Sequence, residues 1–269
     1  DGTYRLWNTR TAEAIHTFSG YTGGYSGAFS PDGRYLLLSV GELNVGGSVV
    51  IWDLQTNKEI RRFLASGLQL DCSRVSPDSR YILTGGMQMA HFILWDAQTG
   101  TPVRQLSEDM KVDGGRCGAF SPDGRYIFAG GNDGIGRLYQ TETGEEIRRF
   151  IGHSGQIIMV AYSPDGRYVA STSADDNAAR LWDVQTGQEV RRFSGHTGTL
   201  WGVAFSPDGK YVVTGGWSDN TARVWLTDIN SQLLSVCAQL TRDLADTERE
   251  RFHIPDKNPT CPQPESRSR

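Results

Sequence analysis

The sequence predicts an all-β fold made of repeated four-stranded antiparallel sheets, and three observations support this prediction. A Ser-Pro-Asp turn recurs five times, an aromatic residue follows each copy at a steady distance, and glycine is abundant, with 32 among 269 residues. The turns begin at Ser30, Ser76, Ser121, Ser163 and Ser206. Frequent turns between short, aromatic-rich strands are typical of all-β domains.

The aromatic residues that follow the turns give the length of the repeat. Counting from Trp7, they are Trp52, Trp95, Tyr139, Trp182 and Trp225, at intervals of 45, 43, 44, 43 and 43 residues. This period is in the range of one β-propeller blade. Because a single four-stranded sheet cannot bury both of its faces, we expect the sheets to pack around a common axis as a β-propeller.

Each repeat contains the strands of one blade. In the last copy, residues 200–205 form an apolar run, and the Pro and Gly of the following turn suit a type I turn. Residues 211–214 and 221–225 are the second and third strands, and residues 189–193 are the fourth strand of the preceding copy. These short runs separated by tight turns predict an antiparallel meander.

Counting strands in this way predicts two strands, then four complete blades, then three strands, which is about five and a half blades. Residues 1–7 match the third strand of a blade, and the last copy ends at Trp225 without a fourth strand. We expect a seven-bladed parent that is incomplete here on its N-terminal side, with a six-bladed parent as the alternative.

The repeats resemble WD repeats over residues 1–228. The dipeptides that match the family motif are Trp52-Asp53, Trp95-Asp96 and Trp182-Asp183, together with Gly152-His153 and Gly195-His196. Two repeats depart from the pattern, because Tyr139-Gln140 replaces the Trp-Asp pair and Gly20-Tyr21 replaces a Gly-His pair.

The resemblance implies a buried hydrogen-bonded network of His, Ser or Thr, Asp and Trp within a blade. One predicted set is His196, Thr214, Asp219 and Trp225; the other is His153, Ser171, Trp182 and either Asp175 or Asp176, of which we select Asp176. The alternative is that His196 and Asp219 form a catalytic acid–base pair. We favour the structural interpretation, because the pair recurs at the repeat spacing.

Beyond residue 228 the repeat stops, and we predict a helical extension over residues 229–254 and an extended or disordered tail over residues 255–269. The tail resembles the ends of bacterial WD-repeat proteins, through residues 237–244 and 260–262. That resemblance implies a bacterial source and a position at the C-terminal end of a larger signalling protein. Cys237 and Cys261 either pair or stay reduced, and a metal site with His253 is the least favoured option.

The predicted partner-binding face is the one whose loops lead into the innermost strands, as the resemblance implies. Its residues are Tyr25, Asp71, Arg116, Ile158, Trp201 and Trp217. Trp, Tyr and Arg are enriched at interaction hot spots. The alternative is that Trp201 and Tyr25 only line or plug the channel.

No nucleophile, phosphate-loop or zinc-protease motif is present, so we expect no catalytic residues, no metal and no cofactor. The predicted function is a non-catalytic protein-interaction scaffold or sensor, the recognition module of a bacterial signalling protein. A propeller that binds a small ligand or glycan through Trp201 and Trp217 is the first alternative, and an enzyme that uses the channel is the second.

The expected partners are other proteins, including an N-terminal effector domain of the same chain. A net charge of −4 without a basic run argues against nucleic acid as a partner. No apolar run approaches 18 residues, so we expect no contact with a membrane and a cytoplasmic location.

Overall fold

The computed structural model describes residues 3–21, 23–42, 46–66, 70–86, 92–106 and 115–228. Within these ranges the chain forms twenty-one strands and no helix. It divides into two compact units, residues 1–224 and 225–269, and the first unit contains the sheets discussed below except for the last two residues of the final strand. No helix among the described residues is long and apolar enough to cross a membrane.

The strands form six sheets, five of which are blades. A two-stranded sheet comes first, with β1 (Tyr4–Trp7) and β2 (Ala14–Phe18). Blade 1 contains β3 (Gly23–Phe29), β4 (Tyr35–Glu42), β5 (Gly46–Asp53) and β6 (Lys58–Ser66). Blade 2 contains β7 (Cys72–Val75), β8 (Tyr81–Gly85), β9 (Phe92–Asp96) and β10 (Pro102–Leu106).

The remaining three blades follow in chain order. Blade 3 contains β11 (Gly118–Phe120), β12 (Tyr126–Gly130), β13 (Ile135–Gln140) and β14 (Glu146–Ile151). Blade 4 contains β15 (Ile157–Tyr162), β16 (Tyr168–Ser173), β17 (Ala178–Asp183) and β18 (Glu189–Ser194). Blade 5 contains β19 (Leu200–Phe205), β20 (Tyr211–Gly216) and β21 (Ala222–Leu226). Every strand pairs only with its neighbours along the chain.

The Ser-Pro-Asp turn joins the first two strands of each blade through its own side chains. In blade 4, the Ser163 hydroxyl donates to Asp165 over 2.5 Å and accepts a bond from the backbone N–H of Tyr168 over 2.9 Å. Gly166 has a φ of +72°, which suits glycine because it has no Cβ. In blade 2, Ser79 takes the same left-handed conformation, with a φ of +60°.

The hydrophobic core lies between neighbouring sheets. Leu83 and Leu94 of blade 2 pack with Phe120 and Ile127 of blade 3 in one buried cluster. A second cluster joins blade 3 to blade 4, whose Trp182 is 1% exposed. A propeller is therefore stabilised by apolar burial between blades rather than inside any one of them.

Blade 5 has an exposed sheet face where blade 4 has a covered one. Ala170 and Leu181 of blade 4 are 0% and 1% exposed, whereas Val213 and Val224, at the matching positions of blade 5, are 38% and 66% exposed. Blade 5 packs on blade 4 through β19, which contacts β15 and β16. Its opposite face is uncovered in the described part of the chain.

A disulfide joins Cys72 to Cys117, with 5.2 Å between the two Cα atoms. Cys72 begins β7 and Cys117 immediately precedes β11, so the bond links the innermost strands of blades 2 and 3. This pair was not predicted from the sequence. The signal was present, because the two cysteines are 45 residues apart, which is one repeat length.

The predicted all-β propeller of four-stranded antiparallel blades is confirmed for the described residues, and so is the strand count of two, sixteen and three. The seven-bladed parent stays a prediction. The predicted helix at 229–254, the tail at 255–269, and Cys237, His253 and Cys261 lie outside the described residues.

Candidate interaction surface at the channel mouth

Four of the six residues predicted for the partner-binding face lie together in the structure. The Arg116 guanidinium carbon is 4.7 Å from the ring centre of Trp201. The Trp217 ring centre is 5.2 Å from that of Trp201, with 31° between the ring planes. The Arg116 Nε is 3.8 Å from a carboxylate oxygen of Asp71. We call these four residues the Trp–Arg cluster.

The repeat explains why residues so distant in sequence meet. Asp71, Arg116 and Trp201 lie at matching positions, at or just before the start of the innermost strands of blades 2, 3 and 5. Blade 4 separates blade 3 from blade 5, so the contact between Arg116 and Trp201 spans the central channel. Trp217 lies in the loop between β20 and β21, where its backbone N–H donates to the Thr199 carbonyl over 2.8 Å.

In this cluster the aromatic rings are exposed to solvent, whereas the charged side chains are mostly buried. Trp201 and Trp217 are 45% and 68% exposed, whereas the Arg116 and Asp71 side chains are 14% and 16% exposed. A cation over a tryptophan face stabilises the arrangement by about 1 kcal/mol or somewhat more when partly desolvated. The two indole rings therefore form a partly pre-ordered apolar surface.

The other two predicted residues behave differently. Ile158 is 5% exposed, so it is buried and does not contribute to the accessible surface, contrary to its selection for the partner-binding face. An aliphatic side chain at this position packs inward, whereas the larger Trp201 at the matching position of blade 5 extends to solvent. Tyr25 lies on β3, and its side chain is outside the described part of the chain.

The structure brings the blade 4 network together. His153 Nδ1 is 2.7 Å from Asp176 and His153 Nε2 is 2.6 Å from the Ser171 hydroxyl oxygen. The indole N–H of Trp182 donates to the same hydroxyl oxygen over 2.7 Å. Burial acts to raise the pKa of Asp176, but the bonds and charges of His153 and Arg180 outweigh it, so that pKa lies below its ordinary value.

The blade 5 network has the same geometry. His196 Nδ1 is 2.7 Å from Asp219, and His196 Nε2 is 2.8 Å from the Thr214 hydroxyl oxygen. Burial acts to raise the pKa of Asp219, but hydrogen bonds from His196 and Thr221 hold that pKa well below its usual range. Trp225 lies on β21 of this sheet, and its contact with the network stays a prediction.

These networks engage the ring nitrogens of both histidines and leave little for chemistry. Both ring nitrogens of His196 are engaged, and its side chain is not exposed to solvent. The same is true of His153. A general base must reach a proton on a bound substrate, which neither buried ring does in this geometry. The arrangement therefore suits a structural role.

Sequence reasoning missed a repeated arginine beside these networks. Arg180 is 4% exposed, and its Nε is 3.1 Å from Asp176, while its guanidinium also pairs with Glu189. In blade 3, which lacks the His, the matching Arg137 pairs with Asp133 over 2.5 Å. The signal was the recurrence of Arg two residues before the aromatic position in four of the six units, at Arg5, Arg137, Arg180 and Arg223.

Comparison with known proteins gives one family and several partial relatives. The family described as "WD domain, G-beta repeat" matches residues 12–53, 100–140, 144–183 and 187–225. Cilia- and flagella-associated protein 52 of Bos taurus is 30% identical over 134 residues, which is 48% of this chain and 20% of the relative.

Two further relatives have different names but similar coverage. The serine-threonine kinase receptor-associated protein of Dictyostelium discoideum is 33% identical over 125 residues, 46% of this chain and 40% of the relative. Transcription initiation factor TFIID subunit 5 of Caenorhabditis elegans is 32% identical over 156 residues, 57% of this chain and 22% of the relative. These relatives are eukaryotic, so the bacterial source stays a prediction.

The chain matches less than half the length of each of these relatives, so their names do not transfer to it. The family match is broader, because it covers more than half of the chain and four of its repeats. Each matched segment holds the last strand of one sheet and the first three strands of the next, and β6 to β9 lie outside the match. The chain belongs to the WD domain, G-beta repeat family.

Proposed function

We propose that this chain is a non-catalytic protein-interaction scaffold that binds a partner protein through the Trp–Arg cluster. The observation that carries the proposal is the exposed Trp201–Trp217 pair backed by Arg116. Exposed aromatic residues held in place by their neighbours are typical interaction hot spots, because they bury a large area at little entropic cost.

The chemistry of the cluster indicates what the partner presents. The exposed rings favour an apolar or aromatic side chain, and the indole N–H groups can donate to a partner carbonyl. Arg116 and Asp71 are already 3.8 Å apart, so they position Trp201 more than they attract a charged ligand. We therefore expect binding to depend weakly on salt.

The relatives support a scaffold role in general terms. One is named as a receptor-associated protein and another as a subunit of an initiation factor, and both names describe proteins that assemble with others. A place in a bacterial signalling protein, a cytoplasmic location and contact with an effector domain rest on the resemblance of the tail, and they stay predictions.

The test compares three tryptophan variants by affinity capture from a lysate of the source organism, followed by quantitative mass spectrometry. Trp201→Ala and Trp217→Ala should each reduce recovery of specific partners about 30-fold or more, as expected for a hot spot of about 2 kcal/mol. Trp7→Ala is the matched control, because Trp7 is a half-exposed tryptophan on β1 outside the cluster.

Circular dichroism and thermal unfolding should show that all three variants keep the fold. If Trp201→Ala and Trp217→Ala retain every partner that the unaltered protein captures, the cluster is not the binding surface.

A small ligand or glycan is the second candidate, favoured only by the tilted pair of exposed indole rings, on which a sugar ring could stack. A thermal-shift screen with soluble oligosaccharides separates the two candidates. Stabilisation that is lost in Trp217→Ala but kept in Trp7→Ala would favour the ligand over a protein partner.

A further inference from the structure

A cavity lies at the other end of the innermost strands, where the Ser-Pro-Asp turns lie. Its volume is about 380 Å³, and blades 2 to 5 all contribute to its lining. The Trp–Arg cluster lies at or before the starts of these strands and the turns follow their ends. The cavity and the cluster are therefore separate sites at opposite mouths of the channel.

The repeat shows which side chain in this cavity is unusual. The residue two positions before the turn serine is alanine in four blades, and these residues are Ala28, Ala119, Ala161 and Ala204. In blade 2 the same position is Arg74. Arg74 is the one charged side chain that the structure describes in the lining of this cavity.

Arg74 extends across the channel and meets only uncharged groups. Its Nη1 donates to the Ser26 hydroxyl over 3.2 Å and to the Ser73 carbonyl over 2.9 Å, and its Nη2 is 3.5 Å from the Met159 sulfur. Ser26 lies two residues before Ala28 and Met159 lies two residues before Ala161, so both are closer to the starts of their strands than the alanine positions are. The guanidinium therefore lies at the inner end of the cavity.

No carboxylate among the described residues pairs with this guanidinium, which has five N–H groups to donate. Burial lowers the pKa of Arg74, as expected for a cation taken out of water without an anion. A largely buried cation that no carboxylate among the described residues pairs with favours the binding of an anion.

A second polar atom, on a residue of the lining, also lacks a partner. Tyr162 occupies the position before the turn serine that is phenylalanine in blades 1, 3 and 5. Its hydroxyl oxygen is buried and has no hydrogen-bond partner, and burial raises the pKa of this phenol. The Tyr162 side chain packs against the core cluster between blades 3 and 4, so its hydroxyl is not accessible from the cavity and does not contribute to ligand binding there.

Apart from three turn serines, whose hydroxyls donate to the aspartates of their own turns, the rest of the lining is apolar. It includes the turn prolines Pro77, Pro122, Pro164 and Pro207, together with Phe120 and Phe205. The nearby turn carboxylates are already engaged, since Asp123 accepts from Ser121 over 2.5 Å and lies 3.9 Å from Arg125. The cavity therefore combines one cation at its inner end with apolar walls.

We propose that this cavity binds a small monocarboxylate with an apolar body, whose carboxylate pairs with Arg74 while its body packs against the turn prolines and phenylalanines. A mineral anion would satisfy the charge but would leave the apolar walls without contact. A charge-assisted pair between guanidinium and carboxylate is among the strong hydrogen bonds of proteins.

The test uses 4-fluorobenzoate as the probe and ¹⁹F NMR titration of the whole chain as the measurement. We expect saturable binding by the unaltered protein and at least tenfold weaker binding by Arg74→Ala. The neutral analogue 4-fluorobenzamide should also bind at least tenfold more weakly. Arg74→Ala should fold normally, because it installs the alanine that the other four blades already carry.

Arg125→Ala is the matched control, since Arg125 is an exposed arginine on the neighbouring turn that does not line the cavity. It should bind 4-fluorobenzoate with unchanged affinity. Equal affinity in Arg74→Ala and the unaltered protein, equal weakening in both arginine variants, or no saturable binding by the unaltered protein would each overturn the proposal.

Discussion

Blades 2 and 4 have the same four-stranded meander but are held together by different chemistry. In blade 4, His153 connects the segment leading into the blade with Asp176, and it shares the Ser171 hydroxyl with Trp182. Blade 2 has a serine, not a histidine, at the position matching His153, and its innermost strand carries one end of the Cys72–Cys117 bond.

One interaction is common to both blades. The Trp95 indole N–H donates to the Thr84 hydroxyl over 2.8 Å, as the Trp182 indole donates to Ser171 over 2.7 Å. This bond joins the third strand to the second within each sheet. Blades 2 and 4 therefore share the tryptophan–hydroxyl bond, while the histidine and aspartate of blade 4 are an addition that blade 2 lacks.

The largest effect should come from removing the covalent link of blade 2. Cys117→Ser should lower the free energy of unfolding by about 4 kcal/mol, because the bond closes a loop of one repeat and limits the unfolded chain. Urea unfolding followed by tryptophan fluorescence measures this change. The unaltered protein in reductant is the control and should match the variant; an unchanged midpoint in both would contradict the prediction.

The next effect concerns the histidine that blade 2 lacks. His153→Ala should lower the free energy of unfolding by about 3 kcal/mol, because it leaves the mostly buried Asp176 without its histidine partner. Asp176→Asn and the double variant complete a double-mutant cycle. Additive losses would show that the two residues do not act as a pair.

The smallest effect tests the bond that both blades share. Thr84→Val keeps the shape of the side chain but removes the acceptor of the Trp95 indole, so it should cost about 1 kcal/mol in the free energy of unfolding. Ser171→Ala should lower the free energy of unfolding by more, because the Ser171 hydroxyl bonds to both the Trp182 indole and the His153 ring. Equal losses at the two positions would remove the distinction between the blades.

Much of the fold was predictable because the turn chemistry is local. The Ser-Pro-Asp motif carries its own hydrogen bonds, so each copy specifies a hairpin from six adjacent residues. The blade networks were predictable in the same way, since a fixed repeat places their members at fixed offsets. Asp176 could not be separated from Asp175 by spacing alone, because one residue is inserted in that blade.

The candidate site was predictable only in part. Matching positions on the innermost strands identified Asp71, Arg116 and Trp201, but their contact across the channel depends on side-chain length and on the curvature of the ring. The same positional rule selected Ile158, which is buried, because a rule based on position does not account for side-chain size. Arg74 was not selected, since its contacts lie on strands of other blades.

Because every strand pairs with its neighbours along the chain, the topology affects how the protein folds and how its blades open. Each hairpin can form early and quickly, since its ends are close in sequence, and few pairings need distant segments to meet first. A blade exposes apolar surface when it separates from its neighbours, so amide protons should exchange at rates that follow how well each blade is covered and differ from blade to blade. A partner at either mouth of the channel touches several blades at once, and it would slow exchange across all of them.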